Sequence, residues 1–207
     1  KSLRMEEIKD EALILPVFSD NNSGKSFSFV NDKSGNLLNK IVKSEEFKAE
    51  LSKAYYFFFT DKIKKVILIG LGKESELTND KLRKALGNSI RYARSLKLKS
   101  ISLALDNLSL KDEELGELLA ESLLLSNYRF NEFKTVDKDK NGEINSATLI
   151  YYGKNINSLN KGIEIGKTIA ESVIIARDLV NIPSSIKIPT YIASKAKEIC
   201  KKSNINC

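Results

Sequence analysis

The chain has 207 residues, of which 42% are hydrophobic and 29% are charged, proportions typical of globular proteins that exclude a mostly disordered chain. Lysine and arginine outnumber aspartate and glutamate by 34 to 27, and the resulting charge of +7 is spread over small lysine clusters. The sequence contains no histidine, which excludes a Ser-His-Asp triad, a Cys-His pair and a His-ligated zinc site built from this chain alone. Hydrolytic chemistry would have to use carboxylates or lysines, or to lie elsewhere.

The predicted strands are short runs of apolar residues, several of them β-branched or aromatic. They cover Ala12–Phe18, Ala54–Thr60, Val66–Leu71, Ser100–Leu105 and Ala147–Tyr152. Phe27–Val30 also alternates briefly between apolar and polar residues. Val66–Leu71 lacks any polar alternation, which predicts a buried central strand.

The predicted helices are amphipathic segments between these strands and after the last one. One or two helices are predicted within Leu37–Leu51. Single helices are predicted over Thr78–Leu96, Ser109–Ser126, Leu159–Asn181 and Pro189–Lys202. Thr78 is a candidate N-cap, Ser109–Asp112 resembles a capping box, and Pro189 suits a first helical position. Strands that alternate with helices predict an α/β domain, layered helix–sheet–helix, with a mixed, mostly parallel sheet. The best boundary is the polar break at Gly153–Ser158.

The two cysteines, Cys200 and Cys207, both lie at the end of the chain, which predicts reduced thiols rather than a disulfide framework. The longest purely apolar runs are strand-length and too short to cross a bilayer. The first residues lack the apolar core of a signal peptide, and the chain begins with lysine rather than methionine. These features predict a soluble, cytoplasmic protein.

Asp137–Ile144 resembles the first half of an EF-hand calcium loop, with oxygen-bearing residues at positions 1, 3 and 5 and glycine at position 6. The closing position is Thr148, so the bidentate carboxylate that completes the coordination is missing. The following residues are strand-like, and no second copy is present. The motif therefore predicts a charged hairpin or surface loop, and whether Asp137–Asn141 binds an ion stays open.

Two glycine patterns are interpreted as structural. Gly70–Ser75 follows a buried strand, but Ser75 replaces the third glycine of a dinucleotide fingerprint and no acidic residue follows at the required distance, so a turn is expected there. Gly162, Gly166 and Ala170 recur every four residues and predict a helix packed closely on a sheet or on another helix. The wide apolar face of that helix suits a bridge between two domains. No paired carboxylates, P-loop or serine nucleophile elbow is visible in the sequence.

The segment Ala176–Pro183, ARDLVNIP, closely resembles the ARDLVN-x-P signature of leucyl aminopeptidases of the cytosolic, two-metal type. Its continuation Ser184–Ala196 fits the same family, and Val66–Lys73 and Tyr128–Lys134 agree in order and rough spacing. The departures are Ser184-Ser185, where the family often has other small residues or proline, and Ile188, where it often has threonine.

The resemblance implies a macro-domain-like N-terminal domain over residues 1–153, a linker helix over 154–181 and the start of a catalytic domain over 182–207. In that family the metal ligands and the catalytic lysine and arginine come later in the chain. The resemblance thus implies no catalytic, cofactor-binding or metal-ligating residue here, and an inactive fragment that serves assembly and active-site access. The intact protein would release N-terminal residues, often leucine, from peptides with two divalent ions, manganese or zinc. It would be a homo-hexamer in the cytoplasm, with its own C-terminal catalytic domain as this chain's partner.

Two alternatives remain. The first is a nucleotide- or ADP-ribose-binding macro-like module with Gly70–Lys73 near the phosphates, and the second is a basic nucleic-acid-binding domain whose affinity would fall steeply with salt. A further expectation concerns the end of the chain. Ile188, Ile192, Ala196 and Ile199 should lose the cover of the missing domain, so this segment should be disordered or buried against a neighbouring copy.

Overall fold

The computed structural model describes residues 5–22, 24–59, 65–106, 108–133, 142–153 and 155–206. The chain divides into two compact units, Lys1–Ala170 and Glu171–Cys207. The division falls inside one long helix, between the predicted domain boundaries at residues 153 and 181. The division does not test the domain boundaries predicted at residues 153 and 181.

The first unit is built on a five-stranded sheet with the strand order β2-β3-β1-β4-β5. The strands are β1 (Ala12–Val17), β2 (Ala54–Phe58), β3 (Lys65–Gly70), β4 (Ser100–Ala104) and β5 (Ser146–Ile150). β3, β1, β4 and β5 run parallel, and β2 pairs with β3 in the antiparallel sense at one edge. The predicted mixed, mostly parallel sheet is confirmed.

The described part of the chain contains six α-helices. They are α1 (Lys25–Lys33), α2 (Leu37–Lys43), α3 (Asn79–Ser95), α4 (Asp112–Asn127), α5 (Ile156–Asn181) and α6 (Pro189–Lys202). Short 3₁₀ turns occupy Met5–Glu7 and Glu74–Glu76. The predicted caps of α3 and α6 are confirmed, because Thr78 Oγ1 accepts a hydrogen bond from Lys81 N at 3.3 Å and Pro189 occupies the first turn of α6.

The sheet separates two apolar cores. Alternate residues of β1 point to opposite faces, so Ile14 packs with α3 and α4 while Leu13 packs with α1 and α2. All six residues of β1 are buried, as expected for a strand covered on both faces. The layered helix–sheet–helix architecture predicted from the element order is therefore present in this unit.

Three local details differ from the sequence-based expectation. The alternation at Phe27–Val30 is part of helix α1, where Phe27 and Val30 form the buried side at the helical spacing of three residues. α4 begins at Asp112 with Lys111 as its N-cap, so Ser109 does not start a capping box. The acidic residues Asp112, Glu113 and Glu114 instead fill the first turn, where the helix dipole favours them.

The third difference is the helix predicted over Leu37–Leu51, which ends at Lys43. Lys48 and Ala49 adopt positive φ angles of 47° and 45°, which no continuing α-helix allows. Phe47 and Ala49 are both buried in the core beneath α1 and α2. Packing of this segment against the end of β3 therefore overrides its helical pattern.

Candidate functional site

Helices α4 and α5 approach each other closely at the glycines singled out on α5. A Cβ atom at Gly162 would overlap the carbonyl oxygen of Glu113 and lie 2.7 Å from its carbonyl carbon, and one at Gly166 would lie 2.9 Å from the Cα of Glu117. On the facing helix, a Cβ at Gly116 would lie 2.9 Å from the amide nitrogen of Ile163. The backbones of α4 and α5 are thus in direct contact, and the predicted close packing of this helix is explained.

The turn after β3 contains the Gly-Leu-Gly sequence that the ADP-ribose-binding alternative places near phosphates. The amide nitrogens of Gly70, Leu71 and Gly72 donate hydrogen bonds to Lys53 O, Val17 O and Ala49 O, each at 2.9 Å. A Cβ at Gly70 would lie 2.7 Å from Ala49 O, and Gly72 has a φ of +73°. Both glycines therefore serve the turn off the strand, and their amides already have acceptors within the protein.

A small cavity of about 150 Å³ opens at the carboxyl ends of β4 and β5, and Asp106, Asp112 and Tyr151 contribute to its lining. In an open α/β sheet this end is where ligands usually bind. Here, however, Asp106 Oδ2 accepts a hydrogen bond from Ser26 N at 2.9 Å, and Asp112 Oδ2 accepts one from Asn155 N at 3.1 Å. The two carboxylates thus cap the backbone at the starts of α1 and α5.

Tyr151 belongs to the same group of contacts. Its hydroxyl oxygen accepts a hydrogen bond from Asn155 N at 3.0 Å. Burial raises the pKa of Tyr151 above its ordinary value, and a hydrogen bond to the carboxylate of Asp112 raises it further. The tyrosine therefore stays protonated at neutral pH and acts as a structural donor to Asp112.

Arg94 is a buried cation that the sequence analysis did not single out. Its Nε donates to Gly142 O at 3.0 Å, and an Nη donates to Ser126 O at 2.9 Å. Beside it, the Asn127 side chain donates to Ile144 O at 2.9 Å and accepts from Ile144 N at 3.1 Å. Burial lowers the pKa of Arg94, and Arg129 lowers it further. Together these side chains join the end of α4 to the residues that lead into β5.

No group of three or more His, Cys, Asp or Glu side chains is placed to hold a metal ion among the described residues. Asp137–Asn141, the part of the EF-hand-like loop that carries its oxygen ligands, lies outside the described residues. Thr148, its closing position, lies in β5. Within the same described ranges, no helix is long and apolar enough to cross a membrane.

The second unit contains the signature segment Ala176–Pro183, which spans the end of α5 and the start of the connection to α6. This connection is stabilised locally, since Ile186 N and Lys187 N both donate to Pro183 O at 3.0 Å and Lys187 Nζ donates to Leu179 O at 2.8 Å. α6, all fourteen residues of which are described, contains no buried side chain. Ile188, which precedes α6, and Ile192 and Ile199 within it are exposed in this chain. The expected disorder of this segment is not found, since α6 is a regular helix, and its burial against a neighbouring copy stays a prediction.

Comparison with known proteins identifies relatives along almost the whole chain. The model of the cytosol aminopeptidase family, N-terminal domain, matches residues 14–137. A probable cytosol aminopeptidase of Alkaliphilus oremlandii (strain OhILAs) is 29% identical over 98% of this chain, and one of Clostridium perfringens (strain 13 / Type A) is 32% identical over 93%. This chain covers only 42% and 39% of the length of those two proteins.

Solved structures give the same fold. A mutant of tomato leucine aminopeptidase matches 98% of this chain with a TM-score of 0.81 and 18% identity, over 41% of its own length. The bottromycin maturation enzyme BotP in complex with Mn matches 94% of this chain with a TM-score of 0.69 and 19% identity, over 37% of its own length. More than half of each similar protein thus has no counterpart in the present chain.

Proposed function

The chain belongs to the cytosol aminopeptidase family, and on that premise we propose that it is the non-catalytic N-terminal part of a metal-dependent aminopeptidase. The observation that carries the proposal is the family's N-terminal domain, which accounts for most of the first unit. The proposal is also supported by the extent of the alignments, because the relatives named aminopeptidases extend well beyond the region aligned with this chain. The intact protein would release N-terminal residues, often leucine, from peptides in the cytoplasm.

The pair of divalent ions implied by the family resemblance does not fit the residues present here. The sequence has no histidine, and the described carboxylates of Asp106 and Asp112 are engaged by backbone amides. No described cluster has enough donor side chains to hold such an ion. We therefore assign the metal ligands and the reacting groups to the segment that follows this region in the relatives.

The role proposed for the present residues is in assembly and in shaping access to the active site of the intact protein. The contact of Gly162 and Gly166 with α4 fixes the first half of α5 in the first unit. The helix then continues without a break to Asn181, in the second unit. The hexamer implied by the resemblance stays a prediction.

The test is hydrolysis of leucyl-p-nitroanilide by the 207-residue chain, with and without manganese, beside a longer chain that carries the segment found in the relatives. We expect no hydrolysis by the 207-residue chain in either condition and manganese-dependent hydrolysis by the longer chain. Turnover by the 207-residue chain itself would contradict the proposal.

A further inference from the structure

We propose that the outer edge of β2 binds an extended polypeptide segment with acidic side chains, which pairs with the sheet as an additional strand. The site, called here the β2 edge, consists of Ala54, Tyr56 and Phe58. β2 pairs with β3 on one side and with no described strand on the other. Binding there goes beyond the proposed function, because it requires no catalytic step.

The direction of the backbone groups along β2 is fixed where the strand begins. Ser52 N donates to Gly70 O at 2.8 Å, and Gly70 N donates to Lys53 O at 2.9 Å. Ser52 has a φ of 66°, so this is a G1-type bulge, which places a residue at positive φ before the first regular pair of the ladder. Lys53 is therefore hydrogen-bonded to β3, and in an antiparallel ladder every second residue after it is hydrogen-bonded in the same direction.

This alternation turns the backbone of Ala54, Tyr56 and Phe58 away from β3. In the register of the two strands these residues form the pairs that do not exchange hydrogen bonds. Their amide and carbonyl groups have no hydrogen-bond partner among the described residues. An open row of donors and acceptors is a template for another extended chain, and the strand sequence AYYFF contains neither the proline nor the charged residue that usually blocks such an edge.

Aromatic rings make the β2 edge apolar as well as open. Phe58 is 74% exposed and Tyr56 is 36% exposed. The two ring centroids lie 6.1 Å apart, and the ring of Tyr56 also contacts that of Tyr92 on α3, with centroids 6.2 Å apart. Aromatic side chains pack well against β-branched side chains of a neighbouring strand, so these rings provide the apolar part of the site.

The charges beside the β2 edge favour an acidic segment over a second copy of the chain. Lys65 Nζ lies 5.8 Å from the ring centroid of Phe58. Arg91 donates to Asn88, whose side-chain amide donates to Ser52 O at 3.5 Å. Neither Lys65 nor Arg91 forms an ion pair with a described carboxylate. Pairing two copies would bring these cations together between chains of net charge +7, whereas acidic side chains would neutralise them.

Amide hydrogen exchange along β2 tests the proposal without any substitution. The probe is a heptapeptide of alternating glutamate and valine, blocked at both ends, and the matched control peptide alternates lysine and valine. In the free 207-residue chain the amides of Tyr55 and Phe57 should exchange slowly and those of Tyr56 and Phe58 rapidly. The acidic peptide should slow Tyr56 and Phe58 by about tenfold or more and leave Tyr55 and Phe57 unchanged. The lysine peptide at the same concentration should leave all four amides unchanged.

A pair of variants tests the role of the open backbone. Ala54→Pro removes one outward amide and leaves the ladder to β3 intact, because proline is tolerated on an edge strand. It should weaken binding of the fluorescein-labelled acidic peptide by about tenfold in fluorescence anisotropy, whereas Ala54→Ser keeps the amide and should bind like the unsubstituted chain. Slow exchange of the β3 amides in both variants shows that they are folded, and if Ala54→Pro does not fold, the exchange experiment on the unsubstituted chain decides.

Unchanged exchange of Tyr56 and Phe58 in the presence of the acidic peptide would overturn the proposal, as would equal slowing by the lysine peptide or equal binding by the two variants. Protection of these amides in the free chain that grows with protein concentration would assign the β2 edge to a second copy and overturn it too. Anisotropy is repeated with the longer chain, and binding by the 207-residue chain alone would show that the edge is covered in the intact protein, which also contradicts the proposal. Hydrolysis enters none of these measurements, so their failure and that of the proposed function are distinguishable.

Discussion

At the scale of single residues, the glycines of α5 show how close packing between helices can require a residue that is a poor helix former. Glycine in a helix interior costs about 1 kcal/mol relative to alanine, so two glycines one turn apart need a compensating interaction. The structure supplies it, because the carbonyl groups of Glu113 and Glu117 occupy the space where side chains would begin. The four-residue spacing in the sequence predicts close packing, but it does not identify α4 as the neighbour, since that depends on the path of the chain between Asn127 and Ile156.

Gly162→Ala should therefore destabilise the protein, although alanine is the better helix former. The new methyl group would meet a backbone carbonyl, which cannot move aside without separating two helices, so we expect a net loss of about 1–3 kcal/mol in the free energy of unfolding. Asn160→Ala, an exposed position on the same helix, serves as the control and should change stability by less than about 0.5 kcal/mol. Urea unfolding of the three proteins measures this, and a Gly162→Ala variant as stable as the unsubstituted chain would contradict the helix contact.

The pH dependence of α6 can be predicted from Glu198. Hydrogen bonds from Lys195 and Lys202 lower the pKa of this carboxyl below its ordinary value. A lowered folded-state pKa contributes stability above the unfolded-state pKa, and this contribution is lost as the pH falls through the folded-state pKa. Glu198→Gln should thus speed amide exchange in α6 slightly at neutral pH and have no effect once the carboxyl is protonated. An equal effect at both pH values would show that the charge is not responsible.

At the scale of elements, the sequence predicts the strands and helices whose formation depends mainly on their own residues rather than on distant contacts. Val66–Leu71 and Ser100–Leu105 appear as β3 and β4, and Thr78 caps α3, because apolar runs and caps act locally. The helical pattern of Leu37–Leu51 fails beyond Lys43, because the packing of Phe47 and Ala49 against the end of β3 prevails there. The order of the strands in the sheet could not be predicted from the sequence either, because pairing between distant strands leaves no periodic signal in the sequence of either strand.

Arg94 shows why some stabilising residues escape sequence analysis. It lies on α3 beside the apolar stripe, and its acceptors are carbonyl groups 32 and 48 residues away, which carry no side-chain signature. Arg94→Leu would leave those carbonyls without their charged donor, and we expect a loss of about 2–4 kcal/mol. Arg91→Leu, on the exposed side of the same helix, should cost less than about 1 kcal/mol. Chemical denaturation of both variants gives the comparison, and similar losses for the two would contradict the joining role of Arg94.

At the scale of the whole molecule, the sequence contains no histidine, so neither a Ser-His-Asp triad nor a His-ligated zinc site can be built from this chain alone. The ARDLVN-type segment indicates the family from the sequence alone, and the match of the family's N-terminal domain over residues 14–137 together with relatives about 30% identical shows it. The individual role of the present residues cannot be predicted in the same way, since a fold alone does not fix a function. It depends on what α5 and α6 contact in the intact protein.

The central claim, that these residues are the N-terminal part of a larger enzyme, is tested most directly by the mass of the native protein. An antibody raised against the 207-residue chain would isolate it from cells of the organism that encodes it, and mass spectrometry would give its length. We expect one polypeptide of more than twice 23.2 kDa, in which this sequence is followed by a further domain. A native product of about the mass of the present chain would contradict it.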